Sequence, residues 1–205
     1  MVSTPIRLLL ADDQALVRHA LAALLDLETD LEVVAQVGRG DEVFAAVREH
    51  DPDVCLLDVE MPGRDGIAAC AEVTAARPTT RVLMVTTFGR PGYLRRALDA
   101  GAAGFVVKDI PAPQLVEAVR RVHAGLRVVD PTLATESLLG GPSPLTGREA
   151  EVLRLALEGA PVAGIAARLH LSPGTVRNHL SAAIGKTGTR TRVEAARAAL
   201  DRGWI

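Results

Sequence analysis

The first 125 residues alternate between short apolar runs of strand type and longer segments with a helical period. This alternation is typical of βα units that wind around a parallel sheet. Because several runs are almost continuously apolar, the sheet is expected to be covered by helices on both faces. The pattern therefore predicts an α/β fold over residues 1–125, a five-stranded, parallel, doubly wound (flavodoxin-like) domain. The predicted strands are Arg7–Ala11, Leu31–Val37, Val54–Val59, Arg81–Thr86 and Gly104–Val107.

A second domain is predicted after a break in this pattern. Residues 126–143 are expected to form a linker, because Gly140, Gly141 and Pro142 interrupt both helices and strands. Residues 144–205 are helical in pattern, with Gly or Pro at every junction. They predict a small all-α domain of four helices at Thr146–Leu157, Val162–Leu169, Pro173–Lys186 and Arg192–Asp201.

Charge is shared unevenly between the two parts of the chain. From Pro142 to Ile205 there are nine Lys/Arg and five Asp/Glu, and the residues before Pro142 have fourteen and twenty, for a total of −2. A basic C-terminal domain favours nucleic acid as a partner. No apolar run approaches the roughly 18 residues of a membrane span, and the N-terminus lacks the features of a signal peptide. We expect a cytoplasmic protein that does not enter the membrane.

The two cysteines, Cys55 and Cys70, lie in apolar contexts without CxxC spacing. Buried thiols are therefore expected, and neither a disulfide nor a metal site.

Polar side chains lie at the carboxyl ends of four of the predicted strands. Because the carboxyl ends of parallel strands meet at one edge of a sheet, these groups should converge there. Three carboxylates would repel one another, and hard oxygen ligands of this kind suit Mg²⁺. A carboxylate beside that ion can attack phosphorus while a Lys and a hydroxyl neutralise the phosphoryl oxygens. The pattern indicates phosphoryl transfer to Asp58, with Asp12, Asp13, Thr86 and Lys108 around it.

Each of these residues also has an ordinary structural explanation. A lone Asp12 or Asp13 after a strand often caps the next helix. A lone Thr86 often bonds to backbone, and a lone Lys108 is often solvated. Only their joint placement on successive strands favours a functional site.

The third predicted helix of the C-terminal domain has the signs of a recognition helix. Ser172 is a plausible N-cap before Pro173, so the helix begins sharply after a turn, as in a helix-turn-helix. Arg177, Asn178 and Ser181 would form its outer face, opposite a buried stripe of Val176, Leu180, Ala183 and Ile184. Arg and Asn are suited to guanine and adenine edges. Thr175, His179 and Lys186 could contact phosphates, although a solvated polar face explains the spacing equally well.

Several motifs resemble those of a known family. LLLADDQALVR, VCLLDVEMPGRDG, VLMVTTF and AGAAGFVVKD resemble the receiver domain of bacterial response regulators. PLTGREAEVLRLALEG and IAARLHLSPGTVRNHLSAAIGKTG resemble the DNA-binding domain of LuxR-type regulators. Together they resemble the NarL/FixJ architecture of two-component response regulators, and RPGYLRRAL and DRGWI are most similar to DesR-like regulators.

The resemblance implies a role for each residue of the cluster. Asp58 would become the 4-aspartylphosphate, Asp13 would bind Mg²⁺ directly with it, and Asp12 would act mainly through water. The backbone carbonyl of Glu60 would be a further metal ligand. Thr86 and Phe105 would be the switch residues, Phe105 standing where a Tyr is often found.

The resemblance also implies the partners. A sensor histidine kinase would phosphorylate Asp58, and phosphorylation would promote a homodimer through the first and last receiver helices. The dimer would bind double-stranded DNA at an imperfect palindromic operator and regulate transcription. The chain would be no enzyme beyond catalysing its own phosphorylation and dephosphorylation.

Two departures from the family pattern concern the DNA-binding domain. The predicted scaffold helix opens with Pro161, Val162, Ala163 and Gly164 in place of the usual polar residues, which would remove phosphate contacts. Gly185 and Thr187 lie at the end of the recognition helix, where an interior Gly costs about 1 kcal/mol relative to Ala.

Three other functions fit the sequence less well. A regulator that needs no phosphorylation would leave the complete acid set without a role. A phosphohydrolase with an aspartyl intermediate would match the spacing of Asp58 and Glu60, but would leave the helical domain unused. A receiver that acts only through protein contacts would leave Arg177 and Asn178 unexplained.

Overall fold

The computed structural model describes residues 4–87, 91–131, 133–135 and 143–205. The chain divides near residue 135 into two compact units. The predicted linker lies partly outside the described residues, including its Gly140, Gly141 and Pro142.

The N-terminal unit is built on a fully parallel sheet. The strand order is β2-β1-β3-β4-β5-β6, which confirms the predicted doubly wound fold. The sheet has one strand more than predicted, because two residues of the expected linker pair with Gly104 and Phe105 of β5. The strands are β1 (Ile6–Ala11), β2 (Leu31–Val37), β3 (Val54–Leu57), β4 (Arg81–Thr86), β5 (Gly104–Val107) and β6 (Val128–Val129).

Helices cover both faces of this sheet. Side chains alternate along each strand, so Leu8 and Leu10 pack with α1 and α5, while Met84 lies beside the first residue of α3, Gly66. Nearly all residues of the central strands β3 and β4 are buried on both faces, as predicted from their continuous apolar character. The helices are α1 (Ala15–Leu25), α2 (Val43–His50), α3 (Gly66–Ala76), α4 (Pro91–Asp99) and α5 (Ala112–His123).

The strand order places a crevice between β1 and β3. The chain winds outward from β1 to β2 and then returns to β3 on the other side of β1, so the loops after β1 and β3 diverge. The β3–α3 loop is held close to the sheet by Gly66, whose N–H donates to the carbonyl of Val59. A Cβ at Gly66 would lie 1.7 Å from the carbonyl oxygen of Asp58, so only glycine fits.

Both cysteines are buried free thiols, as predicted. Burial raises the pKa of the Cys55 thiol, which the neighbouring Cys70 raises further, and burial raises the pKa of Cys70 to about 12. Neither thiol is therefore ionised near neutral pH.

The C-terminal unit contains the four predicted helices around their own apolar core. Thr146 caps the first helix in a reciprocal capping box with Glu149. Ser172 caps the third helix by accepting a hydrogen bond from the N–H of Thr175 at 3.0 Å. The helices are α6 (Gly147–Leu157), α7 (Val162–Leu169), α8 (Pro173–Thr187) and α9 (Arg192–Asp201).

Among the described residues, no helix combines the length and apolar character needed to cross a bilayer.

Candidate functional site

The predicted acids meet at the carboxyl end of the sheet. Asp12 and Asp13 directly follow β1, and Asp58 directly follows β3. One carboxylate oxygen from each lies within 4.8 Å of the others. Asp12 and Asp58 are buried, whereas Asp13 is exposed. The cluster therefore lies at the crevice between β1 and β3, and the residues that directly follow these two strands form it.

Lys108, which follows β5, connects two of the acids. Its Nζ lies 2.7 Å from Oδ2 of Asp12 and 2.7 Å from Oδ2 of Asp58. The other oxygen of Asp58 accepts a hydrogen bond from the N–H of Val59 at 2.7 Å, and that of Asp12 accepts one from the N–H of Gln14 at 2.9 Å. Both buried carboxylates are thus held in fixed orientations.

Burial and neighbouring charges act on these groups in opposite directions. Burial raises the pKa of Asp58, the charge of Asp12 adds to this, and hydrogen bonds from Lys108 and Val59 only partly offset it, so the pKa lies above its ordinary value. Burial lowers the pKa of Lys108, but its bonds to Asp12 and Asp58 outweigh this and raise it. Lys108 therefore stays cationic across the physiological range.

The donor set fits a divalent cation. Three carboxylates face one ammonium group, which leaves an excess of negative charge in a confined place. Oxygen donors of this kind are the ligands Mg²⁺ prefers. A cavity of about 100 Å³ opens beside Asp13 and Asp58, large enough for an ion with some of its waters.

Two of the other predicted receiver residues line this cavity, and the third is buried in the sheet. Glu60 and Thr86 line it, and Thr86 is buried at the end of β4. Phe105 is fully buried in β5, opposite Met84 of β4. The roles expected for Glu60, Thr86 and Phe105 remain predictions. Gln14 and Thr87 also line the cavity, and neither was predicted from the sequence, because each is simply the residue next to a stronger signal.

The outer face of α8 carries the predicted DNA-contacting side chains. Arg177, Asn178 and Ser181 are exposed, while Val176, Leu180 and Ala183 on the opposite side are buried in the helical core. Thr175 is half-buried, and its hydroxyl lies 2.9 Å from that of the N-cap Ser172. The stripe predicted for this helix is therefore correct, and its polar face is open to a ligand.

Lys186 is engaged within the domain. Its Nζ lies 2.7 Å and 3.0 Å from the two carboxylate oxygens of Glu149, the buried capping residue of α6. The expected contact of Lys186 with a DNA phosphate stays a prediction. Such a contact would have to compete with the ion pair to Glu149. Glu149 was not predicted as a partner of Lys186, although the Thr146–Glu149 spacing is that of a capping box.

The end of α8 explains one of the two departures. Thr187 is buried, and its hydroxyl donates to the carbonyl of Ala183 at 2.9 Å and lies 2.9 Å from the hydroxyl of Thr189. Thr187 thus satisfies its polar group locally although it is buried in the helical core.

The fold and the acid cluster together define a receiver domain, and the second unit is a helix-turn-helix domain. Residues 8–120 match the model of the response regulator receiver domain. Residues 143–199 match the model of the bacterial regulatory proteins of the luxR family. The chain belongs to the response regulators that join these two domains, which confirms the predicted NarL/FixJ-type architecture and a role in regulating transcription.

Similar proteins span nearly the whole chain. The uncharacterized transcriptional regulatory protein YvfU of Bacillus subtilis (strain 168) is 43% identical over 98% of this chain and 100% of its own length. The transcriptional regulatory protein DesR of the same organism is 39% identical over 98% of this chain and 99% of its own. The response regulator ChrA of a heme-sensing two-component system is a solved structure with 32% identity and a TM-score of 0.60, and it covers 98% of this chain and 99% of its own.

Proposed function

We propose that Asp58 is the phosphoacceptor and that a sensor histidine kinase is the donor. The observation that carries this proposal is the contact of Lys108 Nζ with both buried acids at 2.7 Å, beside a cavity that opens to solvent. A carboxylate oxygen of Asp58 would attack the phosphorus of a phosphohistidine. The O–P bond forms as the N–P bond breaks, and the leaving imidazole recovers a proton from water.

The surrounding residues would stabilise the transferred group. Lys108 would offset the charge of the phosphoryl oxygens, and the hydroxyl of Thr86 would donate to one of them once the group is attached. Asp12, Asp13, Asp58 and the carbonyl of Glu60 would hold Mg²⁺, which when bound supplies positive charge for the phosphoryl oxygens.

Mass spectrometry of the intact protein tests the acceptor. With acetyl phosphate and Mg²⁺, the wild type should gain one phosphoryl group, and EDTA should prevent it. Asp58→Ala should gain none, while Asp99→Ala, which removes an exposed carboxylate on α4, should behave as the wild type. Equal labelling of the Asp58→Ala and wild-type proteins would rule out this assignment.

We further propose that phosphorylation promotes a homodimer through α1 and α5. Exposed apolar residues of α1 include Leu16, Ala20 and Ala23, whose spacing places them on one helix face, and Leu27 is exposed just beyond the end of the helix. Leu16 and Leu27 are 83% and 81% exposed, and a stripe of this kind marks an interaction surface. Light scattering should show a dimer with beryllofluoride and Mg²⁺. Leu27→Glu should abolish it, whereas Leu126→Glu beyond α5 should not.

We propose that the dimer reads DNA through α8 and acts in the cytoplasm, where its DNA lies. Arg177 and Asn178 would contact base edges, Ser181 would lie beside them, and Thr175 and Lys186 would contact phosphates. Two recognition helices in the major groove require half-sites about 10 base pairs apart, in an imperfect palindrome. The first turn of α7 lacks a side-chain cap and polar residues, so the unphosphorylated monomer should bind detectably only at low salt.

Random-site selection with the beryllofluoride form would supply the operator for a direct test. Arg177→Ala should cost about 1–3 kcal/mol on the operator and less on scrambled DNA. Arg154→Ala removes an exposed charge on α6 and should leave operator preference unchanged. If Arg177→Ala keeps full preference for the operator, α8 does not read bases through this residue.

A further inference from the structure

Arg18 of α1 contacts the backbone of the acid pair. Its Nη1 donates a hydrogen bond to the carbonyl oxygen of Asp12. The amide of Asp12 is also held from the other side, because its N–H donates to the carbonyl of Val37 at 3.2 Å. The backbone of Asp12 is therefore bonded on both sides.

The geometry around Arg18 is specific to this contact. A Cβ on Gly38 would lie 3.3 Å from Nη1 of Arg18, which is tighter than an ordinary contact. Gly38, just beyond β2, thus leaves room for the guanidinium group. Among the described residues, no carboxylate forms an ion pair with Arg18, and its buried Nε has no hydrogen-bond partner. The carbonyl of Asp12 is therefore the contact that orients this cation.

The carbonyl that Arg18 holds belongs to the peptide that joins the two acids. Because a peptide group is planar, fixing the carbonyl oxygen of Asp12 also fixes the direction in which the chain enters Asp13. The side chain of Asp12 is anchored by Lys108 and Gln14. In contrast, the exposed carboxylate of Asp13 makes no hydrogen bond to any described residue. The position of Asp13 thus depends on its backbone.

We propose that Arg18 is a positioning residue for the divalent cation site of the receiver domain, and this inference rests on the proposed function. Arg18 holds the Asp12–Asp13 peptide so that the carboxylate of Asp13 faces that of Asp58. Loss of the contact leaves Asp12 and Asp58 anchored by Lys108 but lets Asp13 move away from the ion. Removal of such an outer contact typically weakens metal binding by about 10- to 100-fold.

Titration of the full chain with Mn²⁺, followed by the electron paramagnetic resonance signal of the free ion, tests this role. Arg18→Met, which keeps the length of the side chain and removes its charge and donors, should bind Mn²⁺ about 10-fold more weakly or worse. Arg18→Lys keeps a charge and a donor and should recover most of the affinity. Arg7→Met is the matched control, since Arg7 also donates to a backbone carbonyl, that of His50 at 2.6 Å, but at the opposite end of β1.

A second variant acts on Arg18 without changing it. Gly38→Ala is compatible with the backbone, because Gly38 has no positive φ, and it crowds the guanidinium group. It should weaken Mn²⁺ binding in the same direction, and it decides the question if Arg18→Met does not fold. If both Arg18→Met and Gly38→Ala bind Mn²⁺ with wild-type affinity, the positioning role of Arg18 is overturned and the proposed metal site is not. An equal loss of Mn²⁺ affinity in Arg7→Met would have the same meaning. Failure of the wild type itself to bind Mn²⁺ would overturn the proposed metal site as well.

Discussion

Asp58 carries its negative charge at a cost to stability. Since its pKa is raised above 3.8, mainly by burial, the folded state holds a proton at pH values where the unfolded chain has lost it. Ionisation of Asp58 therefore lowers the free energy of unfolding, and this effect grows as the pH rises from about 4 through the raised pKa. The same burial that prepares the acceptor makes the domain less stable at neutral pH.

Asp58→Asn should consequently raise the melting temperature of the receiver domain at pH 7 in EDTA. The difference from the wild type should shrink as the pH is lowered toward 4, because the wild-type carboxylate then becomes protonated. Differential scanning calorimetry of the full chain measures both effects. Asp99→Asn, at an exposed position, should change little, and a lower melting temperature for Asp58→Asn at pH 7 would contradict the expectation.

Glu149 shows the opposite behaviour. Burial raises the pKa of Glu149, but hydrogen bonds from Lys186 and from the N–H of Thr146 outweigh it, so the pKa falls below 4.5. Its contribution to stability is present above this ordinary value and is lost as the pH falls through the lowered pKa. The carboxylate therefore stabilises both the start of α6 and the end of α8 at neutral pH.

Lys186→Met should destabilise the C-terminal domain by at least about 1 kcal/mol, since it leaves a buried carboxylate without its cation. Arg148→Met is the control, because Arg148 and Glu151 form an exposed ion pair of little expected value. Urea unfolding at pH 7 and pH 4 compares the variants, and the loss should be smaller at pH 4. If Lys186 also contacts phosphate, the salt slope of DNA binding should fall by about one unit. An unchanged slope with lower stability would assign Lys186 to the fold alone.

At the scale of elements, the sequence predicted most boundaries within one or two residues. The helix at Val162–Leu169 and the strand at Arg81–Thr86 agree with the structure, because Gly and Pro punctuation and long apolar runs are strong signals. The strand β6 was missed, since two residues are too few to show a period. The third strand ends at Leu57 and not at Val59, as the next residues turn into the crevice.

The site was predictable where it depends on strand ends, and not where it depends on side chains that reach across the fold. Successive strand ends placed Asp58 and Lys108 together, although 50 residues separate them. The pairing of Lys186 with Glu149, 37 residues away, has no such rule behind it. Packing of two helices, and not spacing in the sequence, brings these groups together.

Gly185 is a position in α8 where a substitution should stabilise the helix. It lies inside the helix without a positive φ, and a Cβ there would meet no atom within 4 Å. Gly185→Ala should therefore stabilise the C-terminal domain by about 1 kcal/mol. Gly188→Ala is the contrasting control and should destabilise it, because Gly188 ends the helix at φ +69°. Urea denaturation of both variants measures this, and a destabilised Gly185→Ala would show that the glycine has another role.

At the scale of the whole molecule, the uneven distribution of charge predicts that the C-terminal domain and the full chain bind DNA with different affinities. Residues 143–205 have their own core and a net charge of +4, from nine basic and five acidic residues, whereas the full chain has −2. The fragment should therefore bind scrambled duplex DNA more tightly than the unphosphorylated full chain at low salt. The difference should shrink as salt screens the acidic part. Fluorescence anisotropy at several salt concentrations measures it, and tighter binding by the full chain throughout would contradict it.

The two native thiols have a practical consequence for following this molecule in solution. Cys55 and Cys70 are both completely buried, with pKa values raised by burial, so neither should react with a maleimide dye while the protein is folded. A single cysteine introduced at an exposed position, as in Leu27→Cys or Ser181→Cys, should then be labelled alone in the otherwise native sequence. Fluorescent dyes for distance measurements can thus be attached to either domain. Slow labelling of the native thiols would itself report transient opening of the receiver core.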